Sequence, residues 1–215
     1  MTTADEHQVK AGEHARLIEA AASDDASAAI AMLPWLGASI DADAAAGRFD
    51  RWGRSTVIDE NTGSAVVTVG LFDQLHTRAG ISATFPVGNA GLLHVYGYLL
   101  STEPTPYGLK RERWLDGALA RAYGLDADAF LPWTRPDTLL ARVDAAASAL
   151  LTTATVHEED LGDTVARIAV ARYAPSGPFA LAYEVGGRLI TTFPVTSPDV
   201  VTGRADGRLR WNAVA

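Results

Sequence analysis

The chain has 215 residues, of which 48% are hydrophobic and 20% are charged, and its formal net charge is −8. This composition is typical of a globular protein rather than a disordered one, and the negative charge argues against a surface built for nucleic acid. Cysteine is absent, which excludes disulfides and thiolate metal sites. We therefore expect a globular protein without a nucleic-acid partner.

The sequence also bears on the compartment of the protein. Its first six residues are polar and acidic, unlike a signal peptide. No apolar run approaches the roughly 18 residues that a membrane-spanning helix needs. Together with the lack of cysteine, these features favour a cytoplasmic protein with no membrane partner.

Several stretches recur about 98 residues further along the chain. Leu-Pro-Trp at 33–35 recurs at 131–133, an offset of 98, and the apolar pair and aromatic residue of 92–96 recur at 189–193, an offset of 97. The matches keep their order and nearly their register. Internal matches of this kind are the signature of a repeated structural unit. The sequence therefore predicts a tandem duplication.

The first unit is predicted to begin with helices and to end with strands. A capping-box pattern at 3–6 opens a helix over 3–22, a second helix over 24–33 stops before Pro34, and a weaker one covers 40–50. Runs rich in Val, Thr and Tyr, separated by Gly or Asn turns, then predict four strands. They span 55–59, 65–72, 81–87 and 92–100.

The second unit is predicted to repeat this order. Its helices span 110–123, 126–131 and 136–150, and its strands span 153–158, 164–173, 179–185 and 188–195. The pair Gly186-Gly187 lies between two apolar strands and is a hairpin signal. Strands this close in sequence, with no helix between them, pair antiparallel.

These elements predict an α+β fold built from two helix-helix-(antiparallel β) units, packed about a pseudo-twofold axis. The first repeat covers 1–100, a linker with two prolines covers 101–108, the second repeat covers 109–198, and a C-terminal tail covers 199–215. Such an arrangement often places a cleft at the junction of the units.

Familiar catalytic fingerprints are missing from the chain. It contains no dinucleotide-binding glycine pattern, no phosphate loop, no nucleophile elbow and no His-Glu-x-x-His. One dense cluster, His-Glu-Glu-Asp at 157–160, could hold a metal or act as a general base. The equivalent residues 58–61 are also acidic and also precede a glycine, which favours a solvated hairpin turn. We therefore predict no metal site and no cofactor.

The predicted strand 92–100 carries candidate catalytic groups. Alternation places His94, Tyr96 and Tyr98 on one face of that strand. An imidazole with two phenols suits a pocket for an aromatic or amphipathic ligand, and an imidazole with its ordinary pKa of about 6.5 exchanges protons near neutral pH. The alternative is an amphipathic strand half covered by helices, with its phenols reaching water.

A cationic stretch follows this strand directly. If a helix begins near position 108, then Lys110, Arg111 and Arg113 fall near its first turn, where the helix dipole disfavours positive charge. With Tyr107 they are candidate binding residues for a carboxylate or phosphate. Salt bridges on a solvated helix are the alternative explanation.

Two functions remain open at this stage. The first is a small-molecule binding protein for an anionic or aromatic ligand, either non-catalytic or a cofactor-independent lyase, isomerase or hydrolase. The second is a protein-binding module, such as a chaperone, an immunity protein or a regulatory partner, without catalysis. A concave pocket lined by His94 and the tyrosines favours the first function, and a flat apolar patch favours the second.

Overall fold

A computed structural model describes residues 3–200 and 213–214 of the chain. It is a mixture of helix and strand, 43% helical and 22% strand, which confirms the α+β class. The helices are α1 (Thr3–Ala21), α2 (Ala26–Ala31), α3 (Pro34–Ala45), α4 (Val69–Ala79), α5 (Glu112–Leu115), α6 (Ala118–Ala122) and α7 (Leu139–Thr153). Short 3-10 turns cover Arg48–Arg51 and Pro198–Val200.

Local side-chain contacts begin several of these helices. The carboxylate of Asp25 accepts hydrogen bonds from two backbone amides in the first turn of α2. The hydroxyl oxygens of Thr68 and Thr138 each accept one such hydrogen bond, at the starts of α4 and α7. Pro34 occupies the first turn of α3, where its missing N–H is harmless. The start of α7 therefore lies a few residues beyond the predicted position of 136.

The predicted strand 92–100 is wrong. Leu92–Tyr96 forms a π-helical turn and Gly97–Leu100 a 3-10 turn. All nine residues are buried, so the order of polar and apolar side chains does not indicate which face packs against the core. A short apolar run is also compatible with either a strand or a helix. A local signal was present upstream: the Asn89 side chain accepts a hydrogen bond from the Leu92 amide at 3.1 Å, as a helix cap does.

The predicted strands 65–72 and 81–87 are also wrong. Val69–Ala79 is helix α4, whose buried residues Leu71, Phe72, Leu75 and His76 recur at helical spacing. Strand β2 covers only Val87–Asn89. The strand prediction covered only 65–72, a range too short to include the helical spacing of the buried residues of α4.

Two further helix predictions need correction. The predicted helix 110–123 is split into α5 and α6, because Gly117 adopts a positive φ of 74° between them. Residues 126–131 form turns rather than a helix. The predicted helix 40–50 is the end of α3 followed by a 3-10 turn.

The strands form three sheets. They are β1 (Arg54–Thr56), β2 (Val87–Asn89), β3 (Pro104–Thr105), β4 (Gly108–Leu109), β5 (Val156–Asp160), β6 (Val165–Ala171), β7 (Phe179–Val185), β8 (Arg188–Val195) and β9 (Ala213–Val214). β5 to β8 are an antiparallel meander in chain order, with β7 and β8 at their predicted bounds. Gly186 and Gly187, both with positive φ, close the predicted hairpin between them. The other sheets have the orders β2-β1-β9 and β3-β4.

The structure does not show the tandem duplication. The second half carries a four-stranded meander, whereas the region predicted as its counterpart is largely helical. Tyr96, matched in sequence to Phe193, lies in a helical turn while Phe193 lies in β8. The two Leu-Pro-Trp motifs do meet in space, since the rings of Trp35 and Trp133 lie 5.8 Å apart.

One large core joins both halves of the chain. Its buried residues run from Leu17 in α1 to Leu189 in β8, and α7 packs against the meander on this side. A smaller cluster, including Leu181 and Tyr183 of β7, lies on the other face of the sheet. Successive residues of β7 belong alternately to the two clusters, because neighbouring side chains of a strand point to opposite faces.

Most of the predicted tail 199–215 lies outside the described residues, which resume at 213–214, where β9 pairs antiparallel with β1. Across the described ranges, no helix is both long and apolar enough to span a bilayer.

Candidate functional site

A cavity of about 480 Å³ lies where the helical segment 92–100 meets the segment 105–118 and the end of β8. Five of the seven predicted site residues line it. They are His94, Tyr98, Tyr107, Lys110 and Arg113. Tyr96 and Arg111 are not among the lining residues, so the structure separates these two from the others.

His94 and Tyr98 share the cavity for a reason other than the predicted one. Residues four apart lie on the same side of a helical segment as well as of a strand. Their rings stack with centroids 4.8 Å apart at 28°. Tyr96, two residues from each, faces elsewhere, and its hydroxyl donates a hydrogen bond to the buried carboxylate of Asp43.

Both ring nitrogens of His94 are occupied by protein groups. Nδ1 lies 2.8 Å from the carbonyl oxygen of Ile190. Because a carbonyl only accepts, Nδ1 carries the proton and Nε2 accepts from the hydroxyl of Ser55 at 2.9 Å. Burial and the charge of Arg113 lower the pKa of His94 to about 3. His94 is therefore a neutral imidazole at pH 7, and not the group with an ordinary pKa that the sequence suggested.

Lys110 forms an ion pair inside the protein. Its Nζ lies 2.6 Å from Oδ2 of Asp59, and the two side chains are only 16% and 1% exposed. Burial alone would raise the pKa of Asp59, but the hydrogen bond and charge of Lys110, with the Asn61 amide, lower it below 3.8. The ammonium also lies 5.6 Å from the centre of the Tyr98 ring. The positive charge of Lys110 is thus largely compensated before any ligand arrives.

Arg113 has no ion pair in the part of the chain that the structure describes. Its Nη1 donates to Oγ1 of Thr191 at 3.3 Å and to the carbonyl of Thr192 at 3.0 Å. Its Cζ lies 5.4 Å from the Tyr98 ring and 5.6 Å from the Phe193 ring. Burial lowers the pKa of Arg113, and only Tyr98 acts in the opposite sense. A partly buried cation therefore borders the cavity, and within the described part of the chain no carboxylate pairs with it.

The segment before α5 forms the mouth of the cavity. The predicted linker 101–108 contains β3 and leads into β4, and these two strands form a two-stranded hairpin. Tyr107 lies at its tip and is 82% exposed. Helix α5 begins at Glu112, so Lys110 and Arg111 precede it rather than crowd its first turn. Nη1 of Arg111 is buried and has no hydrogen-bond partner among the described residues, and Arg111 is not one of the residues that line the cavity.

Sequence reasoning missed Ser55, Asp59 and Thr191. Asp59 belongs to a segment that the sequence analysis had interpreted as a solvated acidic turn, yet it is only 2% exposed because Lys110 covers it. The apolar neighbours Val57 and Val66, both buried, were the available sign that this turn packs inward. Ser55 and Thr191 carry no sequence signal, since isolated hydroxyl residues in strands are common.

The acidic cluster 157–160 lies on strand β5 rather than in the turn that follows it. His157 and Glu158 point to opposite faces, as neighbours on a strand do, and both are exposed. Among the side chains that the structure describes, there is no group of three or more His, Asp or Glu that could hold a metal ion. The expectation of a metal-free protein remains a prediction.

Comparison with protein families, with curated proteins and with solved structures found no match to this chain.

Proposed function

We propose that this protein binds a small anionic compound with an aromatic or apolar part, in the cavity bordered by His94, Tyr98 and Arg113. The observation that carries this proposal is the guanidinium of Arg113, which lines the cavity and has no carboxylate partner among the described residues. Partly burying a cation is unfavourable unless it is paired. The aromatic rings around it offset part of that cost, and a bound anion would offset the rest.

The dimensions and walls of the cavity agree with a small ligand. A volume of about 480 Å³ falls within the range of roughly 300–1,000 Å³ that is usual for small-molecule sites. Apolar groups from Phe193, Pro194 and Val195 form part of its wall. A concave pocket of this kind favours a small molecule over the protein-binding alternative, which needs a flat apolar patch.

Binding without catalysis is the better-supported form of this proposal. A general base must reach a substrate proton, and both nitrogens of His94 already contact Ser55 and Ile190. Burial raises the pKa of Tyr98 to about 12, so its phenol stays protonated at neutral pH. Tyr96 lies outside the cavity. The three residues predicted to be catalytic therefore offer no group that takes up protons near pH 7.

The test compares Arg113→Gln with Arg111→Gln in titrations with a panel of aryl anions. The panel contains benzoate, 2-naphthoate, phenyl phosphate and benzenesulfonate. At a real anion contact we expect Arg113→Gln to weaken binding by about 1.5–3 kcal/mol, or roughly ten- to a hundredfold. Arg111 is the matched control, because it is a partly buried arginine of the same segment that does not line the cavity.

Isothermal titration calorimetry provides the affinities, and circular dichroism verifies that both variants fold. Equal affinity in the wild type and Arg113→Gln would contradict the proposal. So would a loss of affinity in Arg111→Gln as large as that in Arg113→Gln.

A further inference from the structure

The hydrogen bonds of Arg113 leave one side of its guanidinium unused. Nη1 donates to Thr191 and to the Thr192 carbonyl, while Nε and Nη2 have no partner among the described residues. Nε and Nη2 lie side by side on one edge of the planar group. Two parallel donors on one edge match the two oxygens of a carboxylate.

The contacts of Nη1 also hold the guanidinium in place. Thr191 and Thr192 are buried residues of β8, and both lie in the part of that strand that pairs with β7. The rings of Tyr98, Trp114 and Phe193 surround the same group at 5.4–5.8 Å. An arginine held this way loses little freedom when it binds a planar anion, so geometry as well as charge contributes to selectivity.

The charges around the cavity limit how negative the ligand is. Among the described residues, four carboxylates and two cations line it. Asp59 and Lys110 compensate each other, which leaves Arg113 as the cation available to a ligand. Two of the remaining carboxylates belong to the exposed residues Glu112 and Asp116, which accept hydrogen bonds from backbone amides. A doubly charged group would meet the charge of Arg113 together with these two like charges, which selects against it.

We infer that the ligand is a monocarboxylate with an uncharged apolar body, its carboxylate held side-on by Nε and Nη2 of Arg113. This inference rests on the proposed function and narrows it. The carboxylate occupies the Arg113 end of the cavity. The apolar body lies along Phe193, Pro194 and Val195, which are partly exposed lining residues of β8.

The experiment uses three ligands that share one body: 2-naphthoate, 2-naphthyl phosphate and 2-naphthamide. Calorimetric titrations of the wild-type protein at about pH 7.5, where an aryl phosphate carries close to two charges, measure the effect of the head group alone. We expect the carboxylate to bind at least about tenfold more tightly than the phosphate or the amide. No variant is needed for this comparison.

The second measurement uses Arg113→Lys, which keeps the positive charge and removes the two-donor edge. We expect 2-naphthoate to bind about tenfold or more weakly to this variant, and Arg111→Lys to stay within about twofold of wild type. Undiminished binding of 2-naphthoate to folded Arg113→Lys would overturn the side-on contact.

The outcomes separate the inference from the proposed function. If the phosphate binds as tightly as the carboxylate or more so, and binding depends on Arg113, the inference is wrong and the proposed function stands. If the amide binds as tightly as both anions, or if none of the three binds, both are wrong.

Discussion

The helical segment 92–100 contributes polar side chains to two regions, of which one is a closed cluster and the other a cavity. Tyr96 extends to a closed cluster around Asp43, whereas His94 and Tyr98 extend to the cavity beside Arg113. The side chains that reach the two regions come from adjacent turns of this short segment. Both contain charged groups and phenols, so residue type alone does not distinguish them.

In the closed cluster, protein groups contact both oxygens of the central carboxylate. Oδ2 of Asp43 accepts from the Tyr96 hydroxyl, and Oδ1 accepts from Thr138 at 2.6 Å and lies 3.1 Å from Nε of Arg48. Asp43 itself is completely buried. These contacts connect α3, α7 and the segment 92–100, so the cluster holds the core together.

In the cavity, by contrast, the central cation keeps two donors without a partner. Nη1 of Arg113 donates hydrogen bonds to β8, and Nε and Nη2 have no hydrogen-bond partner among the described residues. The two regions therefore differ in how far protein groups contact the polar atoms of the central charged side chain, Asp43 in one and Arg113 in the other. Variants in the two regions should therefore affect different measurements.

The largest effect is expected from Asp43→Ala. It leaves Arg48 without its ion-pair partner and the hydroxyls of Tyr96 and Thr138 without their acceptor. Breaking a buried ion pair on one side costs about 3–5 kcal/mol. Because Arg48 is 40% exposed, we expect about 3 kcal/mol, measured by urea unfolding.

Asp41→Ala is the matched control for this prediction, since Asp41 lies on the same helix and pairs with Arg78 at the surface. We expect it to cost less than about 1 kcal/mol. A loss as small as this for Asp43→Ala would show that the closed cluster does not stabilise the fold.

A smaller effect, opposite in sign at the two sites, is expected from pH. Burial raises the pKa of Asp43 above 3.8, despite Thr138, Tyr96 and Arg48, which lower it. Its contribution to stability is therefore fully present below pH 3.8 and is lost as the pH rises through the folded-state pKa. The pKa of Asp59 is lowered instead, so its contribution is present above pH 3.8 and is lost as the pH falls through the folded-state pKa.

These signs predict how two substitutions depend on pH. The destabilisation by Asp43→Asn should shrink as the pH rises above 3.8 through the folded-state pKa of Asp43, whereas that by Asp59→Asn should be constant there and shrink only below pH 3.8. Urea unfolding at several pH values measures both. Parallel curves would mean that the environments of the two carboxylates are not as different as the structure indicates.

The smallest expected effect concerns ligand affinity and pH. The pKa of His94 is lowered to about 3 and that of Tyr98 is raised to about 12, so neither changes charge between about pH 5.5 and 8. The affinity for 2-naphthoate should vary by no more than about twofold across that range. A sigmoidal dependence of affinity on pH with a midpoint near 6.5 would contradict this prediction. It would mean that His94 changes charge near neutral pH and can act as a general base.

Prediction of the fold succeeded where local patterns are unambiguous. The β7–β8 hairpin combines two apolar strands with a Gly-Gly turn, and its bounds were predicted correctly. Prediction failed for 92–100, because complete burial removes the alternation between polar and apolar faces that identifies a strand. The cap at Asn89 was the one local clue, and it was outweighed by the β-forming residues that follow.

Two of the candidate site residues line the same cavity for a physical reason. His94 and Tyr98 are four residues apart, a spacing that keeps them together in either a helix or a strand. Tyr96 was grouped with them only because a strand was assumed. The sequence could not distinguish Arg111 from Arg113. Only the structure shows that Arg113 hydrogen-bonds to β8, whereas Nη1 of Arg111 is buried with no partner among the described residues.

The sequence by itself determined the α+β class, the meander of the second half and the cluster of aromatic and cationic residues in 94–113. These follow from turn residues, strand patterns and proximity along the chain, all of which act over short distances. Only the tertiary structure decided that Asp59, 51 positions before Lys110, neutralises it, and that Thr191, 78 positions after Arg113, orients it. Such contacts depend on how distant segments pack, and packing energy is spread over many side chains that no local pattern reports.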